Sequence, residues 1–315
     1  MTILVSGASG IVGYGILRSL KKSPDKYKLI GTTMHDFSIA PVFCDIFEKA
    51  LPTEHPDYMD WLCGIISKHS VDMIIPSIEC DMYQWNIDRD TLSSTGVFPL
   101  LNNDFLIDLC YDKWAFYERL SHDIPMYSIP TTIEPDFKAF PVPFLLKPRH
   151  GYGSKGIVRI NNEREFEQHL SRIGTELMVQ PIIGSNDEEY TVSAFFDKES
   201  QQIDYFPLKR KLSKEGFTQE AEVCDRNFGE IIENLKGIFN PIGPTNFQFR
   251  FDGDMPKLLE INPRISSATS IRAALGYNES VMSVDYFLNN KIPIRKDKSG
   301  IMGKKAIRYS EDYIF

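Results

Sequence analysis

The segment FLLKPRHGYGSKGI, residues 144–157, sets an apolar run against a cluster of positive charge and glycine. Lys147, Arg149, His150 and Lys155 crowd together with Gly151, Gly153 and Gly156. Cations that repel one another, on backbone that is costly to order, call for an anionic partner. The segment lies between two apolar runs that read as strands, FLL and GIVRI, so it is neither a strand-to-helix phosphate loop nor a dinucleotide turn. A glycine-rich hairpin carrying lysines can fold over a polyphosphate, its N–H groups donating while Lys147 supplies charge. The plain alternative is a flexible basic hairpin.

A second constellation lies a hundred residues on, in FQFRFDGDMPKLLEINPRIS. Glu260 and Asn262 are two apart and face one side of a strand; Gln248 can reach them from the paired strand. One carboxylate and two amide oxygens make a hard site suited to Mg²⁺, with Mn²⁺ as an alternative. Arg264 could grip a phosphoryl group through two N–H donors. The competing reading is an exposed Glu260–Arg264 ion pair on a hairpin.

A third stretch, SGASGIVGYG at 6–15, gives GxxGxxG after a strand and before a helix. Read functionally, it seats a pyrophosphate on the helix N-terminus, as in an NAD(P)-dependent reductase or epimerase. Such an enzyme needs an acid at the end of the second strand, where only the late Asp36 stands. It also needs Tyr-x-x-x-Lys on a helix. The only such run, Tyr205 to Lys209, contains Pro207, which costs a helix about 3 kcal/mol. The preferred reading is close helix–strand packing in a Rossmann-like unit.

The elements that must hold these groups follow from periodicity. TILVSGASGIVGYGILRSLKK reads as strand, turn and helix, YKLIGTT as a second strand, WLCGIISKHS as a helix and VDMIIPSI as a third strand. This alternation predicts a parallel α/β unit over roughly the first hundred residues. A helix at DKWAFYERLSH and a Pro-rich link follow. Strands then dominate: FLLKP, GIVRI, LMVQPII, EYTVSAFFD and QIDYFPLKRKL, with a helix at EREFEQHLSRI. TNFQFRFD and PKLLEIN form a hairpin about Asp252-Gly253-Asp254, and helices near 268–276 and at SVMSVDYFLNN close the unit.

Of the 315 residues, 42% are hydrophobic and 25% charged, as in a folded globular protein. The net charge of −8 offers no global field for nucleic acid or an acidic membrane. Five cysteines without a CxxC pair argue against a zinc site and fit a reduced cytoplasm. Residues 1–17 lack the basic start of a signal peptide and hold four glycines, so the expectation is a soluble, cytoplasmic protein. No Ser–His–acid or Cys–His set is apparent, and the six histidines read as surface or core residues.

Lys113 in DKWAFYERL, Lys147 in LLKPRHGYGSKGI, MVQPIIGSNDEEYTV and NFQFRFDGDMPKLLEINPRISSATS occur in that order. Together they resemble the ATP-grasp superfamily, most similarly the carbamoyl-phosphate synthase large chain and PylC-like ligases. The resemblance implies an α/β fold, α+β in the C-terminal part. A Rossmann-like pre-ATP-grasp domain (1–108) would precede the small lobe with its lid (109–185) and the large lobe (186–315). It implies that Lys113 and Lys147 hold ATP phosphates, and that Gly151, Gly153, Ser154, Lys155 and Gly156 form the closing loop. Gln180, Pro181, Ile182 and Ile183 would read adenine, and Glu189, or else Glu188, the ribose. Gln248, Glu260 and Asn262 would bind Mg²⁺, with Arg264 beside the transferred phosphoryl group. Pro181 departs from the charged residue often found there.

The implied activity is an ATP-dependent carboxylate–amine ligase working through an acyl phosphate, on small-molecule substrates and with a homodimer as a fold-level expectation. Lys209, Arg210, Lys211, Ser266 and Ser267 are the candidates for the substrate side. Two rivals remain: the reductase or epimerase using the first glycine turn, and a non-catalytic nucleotide-binding protein.

Overall fold

A computed structural model describes residues 1–314 except Tyr152, Ser154, Asn186 and Glu215. The chain opens as β1 (Thr2–Val5), α1 (Ile11–Leu20), β2 (Lys28–Thr33), α2 (Ala40–Phe43) and β3 (Ile46–Lys49). It continues through α3 (Tyr58–His69), β4 (Met73–Ile75), α4 (Glu79–Ile87), α5 (Arg89–Ser94) and β5 (Phe98–Pro99). These five strands form one parallel sheet in the order β3-β2-β1-β4-β5. VDMIIPSI therefore contributes the fourth strand rather than the third. Two strands of this sheet were missed from sequence, both at its edges: β3, whose interleaved charges, IFEK, hide its alternation, and β5, only two residues long. The chain leaves β1 on one side and β4 on the other, so a crevice opens beyond their carboxyl ends.

The first glycine turn borders that crevice, and packing accounts for its glycines. A Cβ on Gly13 would stand 2.4 Å from the Gly7 carbonyl oxygen and 2.7 Å from Ala8 Cα. Only glycine lets α1 approach the turn so closely.

Two helices, α6 (Asp104–Tyr111) and α7 (Lys113–Asp123), lead out of this unit. Asp112 separates them and caps α7, accepting from Trp114 N at 2.9 Å. A small sheet follows, β6 (Phe144–Pro148) between β7 (Val158–Ile160) and β8 (Leu177–Pro181). The helix expected over 163–173 stops early. α8 covers only Glu163–Glu167, and Leu170–Arg172 is a single tighter turn. Phe144, Leu146, Ile160 and Phe166 form this lobe's core.

The remaining strands are β9 (Glu189–Phe196), β10 (Gln202–Leu212), β11 (Thr218–Val223), β12 (Gly243–Asp252), β13 (Met255–Asn262) and β14 (Lys305–Ile307). They form a six-stranded antiparallel sheet in the order β13-β12-β9-β10-β11-β14. Its helices are α9 (Gly229–Phe239), α10 (Thr269–Ala274) and α11 (Glu279–Phe287). Central β9 is buried along its whole length, so its two faces separate cleanly. Tyr190, Val192, Ala194 and Phe196 join Phe247, Phe249 and the apolar face of α9 in a core rich in aromatic rings. Each such buried ring contributes roughly 1.5–3 kcal/mol. The opposite face of β9 carries Glu189, Thr191 and Ser193 toward polar partners.

The first unit and the large sheet's helices share a core. Ile265 and Val284 pack among Ile16, Leu17 and Leu20 of α1, and Asn278 Nδ2 donates to Ser19 O at 2.8 Å. Among the described residues, no helix is long and apolar enough to cross a membrane.

Candidate functional site

The hairpin of β12 and β13 sets the frame. Its register pairs Gln248 directly with Glu260, and Asn262 lies two residues further on the same side. Between Gln248–Glu260 and Phe249–Leu258 the register slips by one, leaving Leu259 as a bulged extra residue. The freed Leu259 carbonyl accepts from Lys147 Nζ at 3.2 Å, so the small sheet's lysine reaches the large sheet at this point. Lys113, at the start of α7, donates Nζ to Gly151 O, and its backbone N–H donates to Arg149 O at 2.9 Å. Lys113 thus reaches the root of the glycine-rich loop, while Lys147 ties that root to the large sheet.

Arg149 and His150 hold that root. Arg149 is ion-paired to Asp112 at 2.5 Å and donates Nη1 to Gly174 O at 2.7 Å. His150 stacks on Tyr111 with centroids 4.8 Å apart. Burial opposes ionisation of Asp112, but Arg149 and the Trp114 N–H bring its carboxyl below the usual range.

Charge in the cleft is coupled. Burial works against the Glu260 carboxylate, yet Lys147, then Lys113 and the Asn262 amide, hold it below the usual range. Burial likewise pushes the Lys147 ammonium down; Glu260 opposes this and Lys113 adds to it. Asn262 Nδ2 donates to Glu260 Oε1 at 3.1 Å. Glu260 is therefore ionised, with two amide oxygens on its own face. This all-oxygen set fits Mg²⁺ better than a softer metal. Gln248 Oε1 meanwhile accepts from Arg210 Nη2 at 2.6 Å, a bond that metal ligation would replace.

Glu189 stands at the start of β9, 4% exposed. Arg210 grips its Oε1 at 2.7 and 3.0 Å, and Arg250 its Oε2 at 2.9 and 3.0 Å. The sequence reading overlooked Arg250. Strand alternation in FQFRFD could have found it, since Gln248 and Arg250 share a face. Glu188, the other ribose candidate, pairs with Lys209 at 3.4 Å outside this clamp.

Two adjoining hollows, of about 50 and 140 Å³, meet over Lys113, Lys147 and Glu260. The larger is walled by Ile129, Leu145, Ile157, Pro181, Ile182 and Ile183, and Gln180 is fixed beside it by a 2.9 Å bond to Thr131. A wider cleft of about 770 Å³ opens on their far side toward the crevice of the first unit. Arg210, Arg264, Ser266 and Ser267 line it, as do Gly7, Ser9, Ser77 and Asp81 opposite. The strand parity expected for 209–211 holds. Arg210 points inward, 5% exposed, while Lys209 and Lys211 turn to Glu188 and Asp187.

The glycine-rich loop borders both spaces: Gly153 and Lys155 line the 140 Å³ hollow and the wider cleft alike. Gly156 abuts Pro148. Ser154, a candidate donor, lies outside the described residues. From the turn between β10 and β11, Gly216 meets the lid: a Cβ there would stand 2.5 Å from the Gly153 carbonyl oxygen.

Residues 174–307 match a family described as ATP-grasp in the biosynthetic pathway with Ter operon. N5-carboxyaminoimidazole synthetase from Staphylococcus aureus, solved with ADP, superimposes with a TM-score of 0.74. It covers 93% of this chain and 79% of that one at 18% identity. The matched segment is ATP-grasp-like, and the chain shares its fold with that synthetase. A second structural neighbour is the biotin carboxylase domain dimer of Hydrogenobacter thermophilus 2-oxoglutarate carboxylase, solved with MgADP, ADP and bicarbonate. It has a TM-score of 0.64 at 15% identity and covers 88% of this chain and 70% of that one. A curated relative, D-alanine–D-alanine ligase of Petrotoga mobilis, is 29% identical over 159 residues, 46% of this chain. The match spans about half, 52%, of that relative's length.

Proposed function

We propose that this chain is an ATP-dependent ligase that joins a carboxylate to an amine through an acyl phosphate, releasing ADP and phosphate. The observation that carries the reading is the convergence of Lys113, Lys147 and the Gln248–Glu260–Asn262 face where an apolar-walled hollow meets a second, larger cleft. The relatives support it: one is a D-alanine–D-alanine ligase, one was solved with ADP and one with MgADP.

In this reading, residues 1–108 wall the acceptor cleft, 109–185 carry the lid and 186–315 the phosphate site. Ile129, Leu145 and Ile183 sandwich the base, and Gln180–Ile183 offer main-chain atoms to its edge. Lys113 and Lys147 neutralise phosphate oxygens. Mg²⁺ held by Gln248, Glu260 and Asn262 would shield the charge that develops in transfer. Arg264 faces the transferred phosphoryl group, and Arg210, Ser266 and Ser267 face the acceptor. Lid closure excludes water that would hydrolyse an acyl phosphate.

A thermal-shift comparison tests the reading. MgATP raises the melting temperature and NAD(P)H does not; the reverse result would return the first glycine turn to a cofactor role. ADP release is then measured across pooled amino acids and uronic or muramic acids to find the substrates.

Lys147 gives this reading a pH signature. Its folded-state pKa lies below the ordinary 10.5, so between the two values the unfolded chain binds more protons. The Lys147 contribution to stability therefore rises with pH across that window. Nucleotide affinity moves the other way, since the neutral amine cannot pair with phosphate. Calorimetric titration of MgADP from pH 7 upward shows affinity falling below pH 10.5, and Lys147→Arg shifts the fall to higher pH.

A further inference from the structure

We propose that Glu79, at the first turn of α4, is a positioning residue that fixes the Arg264 guanidinium over the reacting phosphoryl group. The inference rests on the ligase reading and assigns the first α/β unit a part in the chemistry beyond walling the cleft. Glu79 Oε1 accepts from Arg264 Nη2 across 185 residues of chain, and the two side chains are only 16% and 11% exposed. Arg264 follows Pro263 just beyond the end of β13, where no ladder orients its side chain. Its other ties are an Nη1 bond to Ile265 O at 2.9 Å and a long one, 3.5 Å, from Nη2 to Asn262 Oδ1. Nε is buried with no partner among the described residues. A long side chain with one neutral short-range bond and one marginal one needs the carboxylate to choose its place.

The location of the pair matters as much as its strength. Glu79 and Arg264 line both the hollow holding Lys113 and Lys147 and the wider acceptor cleft. Tyr83, one turn along α4 from Glu79, lines the same hollow. The junction between the units does not depend on this pair. It is held by Ile265 and Val284 in the shared core, by Asn278 on Ser19, and by Asn102 Nδ2 on Thr245 Oγ1 at 2.8 Å. The pair lies beside the cleft, next in the chain to the brace Ile265, and supplies the one charged tie that Arg264 makes among the described residues.

The test compares MgADP with MgADP plus aluminium fluoride, a mimic of the transferred phosphoryl group that needs no identified acceptor. Wild type binds the fluoroaluminate complex more tightly than MgADP alone. Glu79→Ala cuts that gain at least tenfold and leaves MgADP affinity within twofold; Glu79→Gln, which keeps an acceptor oxygen without the charge, lies between. In an Arg264→Gln background Glu79→Ala changes nothing further. A brace of the interface alone would lower the melting temperature of Glu79→Ala and spare the ratio, and that outcome overturns the proposal. Equal weakening of both complexes, additive effects with Arg264→Gln, or no fluoroaluminate gain in the wild type overturn it too. A wild type that fails to bind MgADP at all instead defeats the ligase reading, and this inference with it.

Discussion

Glu260→Gln slows ADP release by about 10³-fold while the cooperative unfolding transition survives. The substitution keeps the shape of the side chain and removes the one carboxylate among the three oxygen residues on that face. It also removes the charge that most opposes the burial of Lys147, so the lysine loses protons at lower pH than before. Metal affinity and phosphate neutralisation therefore weaken together. The fold is spared because the Lys147 bond to this hairpin goes to the Leu259 carbonyl, not to the carboxylate. Lys147→Ala arrests turnover as well, again without unfolding the chain. Near-normal ADP release from either variant, assayed on whichever substrates support the wild type, would remove the assigned phosphate site.

The second large effect is on stability. Glu189→Ala lowers the unfolding free energy by about 3–5 kcal/mol, the cost of breaking a buried ion pair from one side. Two guanidiniums, those of Arg210 and Arg250, converge on this single carboxylate. Without it they remain close together with like charge, and among the described residues Arg210 retains only Gln248 and a long bond to Thr218. Urea midpoints with unchanged slope check the size of the loss. Arg210→Met in the Glu189→Ala background recovers part of it, because the stranded charge is what the single variant suffers from. A change in midpoint equivalent to less than about 1 kcal/mol would show the clamp to be solvated.

The pairing of Gln248 with Glu260 and Asn262 was legible because it depends on local rules. Strand parity puts Glu260 and Asn262 together, and a short turn brings Gln248 opposite. Arg210 inward with Lys209 and Lys211 outward follows from the same parity. The clamp on Glu189 was not legible, because it joins β9, β10 and β12 and depends on sheet order, which no spacing encodes. Glu79 is hidden for the same reason: its partner is 185 residues away. Some misses had local signals. Ile231, Ile232, Leu235 and Phe239 mark α9 with helical spacing, but the Gly229 start and Gly237 obscured it. Asn103 caps α6 with a 2.7 Å bond to Leu106 N, a start signal overlooked beside the stronger helix that follows. β14 carries only three residues of alternation, too few to register.

The contact between Gly153 and Gly216 reaches beyond the lid itself. One loop roofs two chambers, and it is met by a turn from the sheet that floors the second. Movement of that loop would alter access to both chambers at once. Under the proposed ligase activity, a nucleotide and an acceptor that arrive separately would both be in place before the roof shuts, and both products would wait on the same opening. The kinetic scheme suited to such a shape has a single committed complex, with release rather than bond formation free to govern the steady state.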